Sequence, residues 1–242
     1  MISIVRHHTQ ELVDRGYTLL EGIHSDEEAT AALSHFGQLM PQYDGQLRYQ
    51  VKAVPGYEHR RYSKSTNTIK VHTEAPGWQP PPRYLALHCR VQATCGSGHT
   101  DLADARAFLA SLDDDMQRTM RERQVDWLGH NTAGSGGTGV RRPSVERTGD
   151  GREIIRFSYN LLTAGHYDPL LEASPSPESL PLGRRGLDLA EQAVAFFREH
   201  RVSILIPEDA VLLWDNQRTV HARSEYTDTR RHLTRYWLRG HG

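Results

Sequence analysis

The apolar residues of this chain come in short blocks, and that constrains its fold more than any other feature of the sequence. Arg83 to Thr94 (RYLALHCRVQAT), Val202 to Ile206, Ala210 to Trp214 and His232 to Leu238 are strand-sized. Breakers such as Pro80-Pro81-Pro82 and Gly96-Ser97-Gly98 lie between such blocks. Runs of this length with such boundaries read as β-strands. Gly16 to Ile23, Leu47 to Val54, Thr68 to Thr73 and Val125 to Leu128 are further candidates, and Glu146 to Asn160 reads as a hairpin turning at Gly149-Asp150-Gly151. Helices are fewer. Ser25 is a candidate N-cap, followed by acids at 26–28 and by Ala29, Ala32, Leu33 and Phe36 at helical spacing, which predicts a helix over about 26–39. Asp101 to Leu112, Asp113 to Arg123 and Leu187 to His200 complete the set. Many short strands with a few flanking helices predict an α+β fold around a β-sandwich or barrel.

The 242 residues suit one domain, 1–242, large enough to bury a core without a disulfide or metal staple. A formal net charge of −1 gives no field that would recruit nucleic acid or an anionic membrane. Paired arginines such as Arg60-Arg61 and Arg184-Arg185 read as solvated surface. No apolar run approaches the roughly 18 residues of a membrane span. Cys89 and Cys95 form no C-x-x-C pair, so a reducing cytoplasm is the expected compartment. The Gly/Ser/Thr-rich stretch 132–139 reads as a flexible loop and a candidate lid.

Chemistry concentrates in two places. In Val71-His72-Thr73-Glu74, at a strand end, period two puts His72 and Glu74 on one face. An imidazole beside a carboxylate is two-thirds of the facial triad that holds Fe(II). A third ligand must come from far along the chain, and His221 is the candidate: the apolar strand ending at Trp214 runs into the polar turn Asp215-Asn216-Gln217, after which His221 is presented. Arg231 and Arg235 then share a face of the last strand. A guanidinium suits the distal carboxylate of a 2-oxo acid whose other end chelates the iron, and Thr100, after a Gly-rich turn, is a natural hydroxyl partner.

Taken together, these segments resemble the taurine dioxygenase/clavaminate synthase-like 2-oxoglutarate oxygenases over about residues 66–240. Residues 213–238 are the most specific part, and Pro81 to Cys89 and Arg156 to Asn160 also look like the family. The resemblance implies His72, Glu74 and His221 as Fe(II) ligands. It implies Arg235 as principal partner of the 2-oxoglutarate distal carboxylate, with Thr100 assisting and Arg231 as a helper nearby. It implies a distorted double-stranded β-helix, or jelly roll, with flanking helices, and a reaction consuming O₂ and releasing succinate and CO₂. Glu74 is the retained acid that related halogenases lack, so oxygenation or desaturation is expected.

The expected substrate is a free amino acid or a related small metabolite. Arg156, Tyr159 and Trp78 are candidate substrate contacts, each with a plain alternative as strand or core residue. A carrier-protein-tethered aminoacyl group, or a sulfonate, is the second substrate class. Other readings of the same residues are a zinc hydrolase using His72, Glu74 and His221, which leaves Arg235 and Thr100 without a role, and a metal-binding jelly-roll protein without turnover.

Overall fold

The computed structural model describes residues 2–129 and 139–241, the side chains of residues 2–4 excepted. Period two is clearest in the C-terminal strands. In β12 (Ala210–Asp215), Leu212 and Trp214 join one apolar cluster while Val211 and Leu213 join another. In β14 (His232–Gly240), Leu233 and Trp237 take the first side, Tyr236 and Leu238 the second. Strands apolar on both faces must be covered on both, and these belong to the larger of two facing sheets. Its order is β1 (Tyr17–Glu21), β12, β5 (Tyr84–Val91), β14 and β2 (Gly37–Met40), with β3 (Tyr49–Lys52) also paired to β14. Its outer face packs on Leu12 of α1 (Ile2–Arg15) and on Ala29 and Leu33 of α2 (Asp26–Leu33).

The smaller sheet runs β11 (Val202–Ile204), β6 (Thr100–Asp104), β13 (Thr219–Arg223) and β4 (Ile69–His72). Val71, Ala103, Val220 and Ala222 turn outward onto α3 (Ala105–Ser111), α4 (Asp114–Glu122) and α6 (Arg184–His200). Every residue between them in β13 faces the other way, so Thr219, His221 and Arg223 look toward the large sheet. Two antiparallel sheets closing on a shared interior, with helices outside both, make a distorted jelly roll. Two small hairpins cover one side: β7 (Gln124–Trp127) with β8 (Val140–Pro143), and β9 (Val145–Arg147) with β10 (Glu153–Ile155).

Local chemistry sets several boundaries. Ser25, Asp104, Asp113 and Ser158 each accept a hydrogen bond from a backbone N–H in the first turn of α2, α3, α4 and α5 (Tyr159–Ala164). These caps correct the sequence expectations. The helix expected from 101 begins only at Ala105, because residues 100–104 pair with both β11 and β13 and Asp104 serves as the cap. The helix expected over 26–39 stops at Leu33, and Gly37–Met40 pairs with β14 instead. The hairpin expected to run to Asn160 ends at Ile155, and Tyr159 opens a helix capped by Ser158. No helix among the described residues is long and apolar enough to cross a membrane. The candidate lid at 132–139 lies, apart from Gly139, outside the described residues.

Candidate active site

The site is built where β4 ends beside β13. His72 and His221 are direct partners across that pair, their ring centroids 4.0 Å apart. Beyond His72 the chain leaves the sheet and is tied down on both sides. Thr73 donates its N–H to Phe157 O at 2.8 Å, and Phe157 N–H donates to Thr73 Oγ1 at 3.0 Å. Asn216, in the β12–β13 turn, accepts from Glu74 N–H at 2.7 Å and donates to the carbonyls of Glu74 and Pro82. Asp215 in the same turn pairs with Arg83 at 2.7 Å, and Gln217 donates to Pro81 O. The polar turn thus clips the strand-end segment and the Pro-rich segment together, fixing Glu74 beside the histidines.

Glu74 Oε2 lies 3.8 Å from His72 Nε2 and 3.9 Å from His221 Nε2. Each of the three residues offers a ligand atom within 4.8 Å of the others, a spacing that leaves room for an ion at bonds of about 2 Å. Lys70 O lies 2.9 Å from His72 Nδ1, which fixes that ring with Nε2 toward Glu74. Burial holds His221 far toward the neutral imidazole that a metal requires. Burial also opposes the charge on Glu74, but Arg235 and the two histidines overcome it and keep the carboxyl ionised well below the usual range. Two imidazoles and one carboxylate on one side of a buried point fit the facial set for Fe(II).

The two arginines of the last strand do different things. Arg235 Nη1 lies 2.6 Å from Glu74 Oε1, and its Nε donates to Gln42 Oε1 at 2.8 Å. The Tyr43 hydroxyl also donates to Glu74 Oε1, at 3.3 Å. One carboxylate oxygen is therefore occupied by Arg235 and Tyr43, and the other faces the histidines. The register of β14 against β5 shifts between His232 and Leu233, so Arg231 lies beyond an irregularity and away from Glu74. It is 3 % exposed, its guanidinium carbon stands 5.0 Å from the Tyr226 ring centroid, and buried Nη1 has no hydrogen-bond partner. Burial lowers its pKa. Gly98, at φ +87°, permits this placement: a Cβ there would stand 3.1 Å from Arg231 Nε. Thr100, two residues on, is buried and lines the same cavity. A buried cation with an open edge, beside a hydroxyl, suits the distal carboxylate of 2-oxoglutarate.

The cavity measures about 990 Å³ with its mouth and draws its walls from both sheets. It is also lined by Tyr43, Tyr62, Tyr167 and Asp168, which the sequence did not single out, and by Arg61, half-buried here although its pairing with Arg60 suggested solvated surface. Burial, and then the Glu74 charge, push the Asp168 carboxyl up to about 6. Arg223 also borders the cavity, but its guanidinium donates to the carbonyls of Ser63, Ser65 and Asn67. The three proposed substrate contacts do not line the cavity. Arg156 is fully buried and donates to Pro76 O, Glu146 and Gln79, bracing the loop after Glu74. Tyr159 packs against the α3–α6 core, and Trp78 packs edge-on against Trp237 at 5.3 Å.

A jelly roll with a histidine–glutamate–histidine cluster at one strand end, and a buried cation deeper in the same cavity, defines a non-haem metal oxygenase site. The chain matches the family model "Taurine catabolism dioxygenase TauD, TfdA family" over residues 4–237, and it belongs to that family. It is an Fe(II)- and 2-oxoglutarate-dependent dioxygenase. No curated protein matches the sequence. Among solved structures, it is similar to asparagine oxygenase in complex with Fe(II), (2S,3S)-3-hydroxyasparagine and succinate, with TM-score 0.72 and 18 % identity over 98 % of this chain and 79 % of that one. It is similar to the non-haem iron oxygenase OrfP in complex with Fe and α-ketoglutaric acid, with TM-score 0.64 and 15 % identity over 98 % and 80 %. PvcB from Pseudomonas aeruginosa gives TM-score 0.66 and 16 % identity over the same shares.

Proposed function

We propose that this dioxygenase hydroxylates a free α-amino acid. The observation that carries the reading is the arrangement of charge in the cavity: Arg235 and Asp168 both line it with the metal cluster, offering a cation and an anion near one reacting point. An amino acid is the smallest metabolite that presents carboxylate and ammonium together. A tethered aminoacyl thioester has no free carboxylate for Arg235, which favours the free acid. Asparagine oxygenase, whose complex holds a hydroxylated amino acid, gives the reading further support.

His72, Glu74 and His221 would hold the iron, and Arg231 with Thr100 would hold the distal carboxylate of 2-oxoglutarate. Compared with the roles expected for the two arginines, these are reversed: Arg231 has an unpaired edge in the cavity that Thr100 also lines, while Arg235 stands beside the metal cluster at Glu74. With O₂, the bound iron and 2-oxoglutarate supply the oxidant for C–H hydroxylation, leaving succinate and CO₂. The chain's own residues bind and orient. Arg235 and Tyr43 hold Glu74 Oε1, which leaves Oε2 for the metal. Lys70 O fixes the His72 ring. Leu85, Leu87, Trp214 and Leu233 present apolar wall to the substrate and exclude water.

Anaerobic protein loaded with Fe(II) and 2-oxoglutarate tests the reading through the weak visible charge-transfer band of the chelate. The band is expected on loading, and a shift on adding one member of an amino-acid panel is expected next. Succinate should then form in step with hydroxylated amino acid once air is admitted. A folded protein that gives no band, or a band that no amino acid shifts, defeats the proposal.

A further inference from the structure

Four cations line the cavity besides Arg223, which is tied to backbone carbonyls: Arg61, Lys70, Arg231 and Arg235, with Glu74 and Asp168 as the carboxylates. On the function proposed above, Arg231 meets the co-substrate, and Glu74 serves the metal while paired with Arg235. Arg235 and Asp168 meet the substrate's carboxylate and ammonium. Two cations are left over. We infer that Arg61 and Lys70 form a second anionic subsite, and that the substrate is an acidic amino acid, with a carboxylate or comparable acid on its side chain.

The placement of the two residues carries this. Lys70 lies two residues before His72 on β4, so strand alternation puts both on the cavity side, opposite Val71. Its Nζ is 5.8 Å from the Tyr159 ring centroid, a loose contact at the far limit of a cation–π pair that leaves the ammonium donors for a ligand. Arg61 is positioned through its backbone, whose N–H donates to Pro169 O at 3.4 Å, next to Asp168. Both side chains are partly buried at the cavity wall. Neither has a carboxylate partner among the described residues. A cation on low-dielectric wall attracts an anion more strongly than one in open solvent. A neutral side chain leaves both charges uncompensated, and a basic side chain adds repulsion, so the same pair selects for an acid and against its amide.

The test uses anaerobic protein carrying Fe(II) and 2-oxoglutarate. Aspartate, glutamate, asparagine, glutamine, arginine and lysine are titrated against the charge-transfer band, and each Kd is read from its shift. One acidic member is expected to bind at least about tenfold tighter than its own amide, a difference of about 1.4 kcal/mol. Arg61→Gln and Lys70→Met are each expected to shrink that ratio by about fivefold or more, while the 2-oxoglutarate titration, which reports the fold, stays unchanged. A band that the amides or basic amino acids shift at lower concentration than the acids overturns the subsite, as does a band that no acid shifts. A preference for acid that survives both substitutions overturns it too. Absence of any band from folded protein with Fe(II) and 2-oxoglutarate is a different failure: it removes the cofactor reading on which the subsite rests.

Discussion

Replacing Arg231 by methionine separates folding from co-substrate binding, because stability should change little while binding collapses. Arg231 is 3 % exposed and its Nη1 has no acceptor among the described residues. A buried polar group left unsatisfied costs about 1–3 kcal/mol. Methionine removes that cost and forfeits the contact with the Tyr226 ring, worth about 0.5–2 kcal/mol. The net expected change runs from about 1 kcal/mol of lost stability to about 2.5 kcal/mol of added stability, a Tm change between about −4 °C and about +10 °C for a chain of this size. Binding of 2-oxoglutarate should weaken far more. Truncating one partner of a buried charged pair costs about 2–5 kcal/mol, so its Kd should rise by about 30- to 3,000-fold. Arg223→Met is the matched control. That guanidinium donates to three backbone carbonyls, so its loss should lower stability by about 3 kcal/mol or more. Thermal unfolding with and without 2-oxoglutarate, and titration of the charge-transfer band, read both quantities. A 2-oxoglutarate Kd within about threefold of wild type would refute the assignment, and so would an R231M protein that loses several kcal/mol without ligand.

Three other perturbations address the surroundings of the cluster. Asn216→Ala removes the clamp on the Glu74 backbone, and Co(II) or Mn(II) affinity measured by calorimetry should fall about 10- to 100-fold; unchanged affinity would show that the turn does not position the ligand. Gly98→Ala places a Cβ 3.1 Å from Arg231 Nε at a positive φ, so 2-oxoglutarate affinity and Tm should drop together while metal affinity holds. Asp168→Asn tests the raised acid. Its folded pKa of about 6 lies above the ordinary 3.8, so the folded state holds the proton more tightly. The stability this contributes is complete below pH 4 and is lost as pH rises through 6. Metal-free D168N should therefore gain on wild type between pH 4 and 7, by at most about 3 kcal/mol, and a Tm difference that does not change with pH would contradict the shift.

The strands of the core were legible because their alternation is strict. Val211, Leu213, Tyr236 and Leu238 fall on one face and Leu212, Trp214, Leu233 and Trp237 on the other. Helix boundaries were less so. Thr100–Asp104 sits in the middle of the small sheet with a mixed polar sequence, and only its pairing partners β11 and β13 decide that it is a strand. Phe36 continues the spacing of α2, yet the chain turns there because residues 37–40 complete the edge of β14. Tertiary pairing overrode local pattern in both cases.

The candidate site divides in the same way. His72, Glu74 and His221 come together as their spacing suggested: a β-pair joins the two histidines, and the Asn216 turn holds Glu74 just beyond the strand end. Assigning the two arginines needed more than alternation. Residues 231 and 235 share a face on an ideal strand, but the irregularity between His232 and Leu233 carries Arg231 to Gly98 and Tyr226 and leaves Arg235 against Glu74. Charge explains why the difference matters. A buried guanidinium with an open edge, as at Arg231, gains a full charged hydrogen bond from the distal carboxylate of 2-oxoglutarate. Asp168, Arg61 and Tyr43 lay beyond sequence reasoning for another reason. They sit in irregular segments, where neither period two nor period 3.6 says which way a side chain points, and their loops reach the cavity only once both sheets are in place. The two histidines are thus placed by regular structure and Asp168, Arg61 and Tyr43 by loops, so the loops are where one jelly roll can change what enters its cavity.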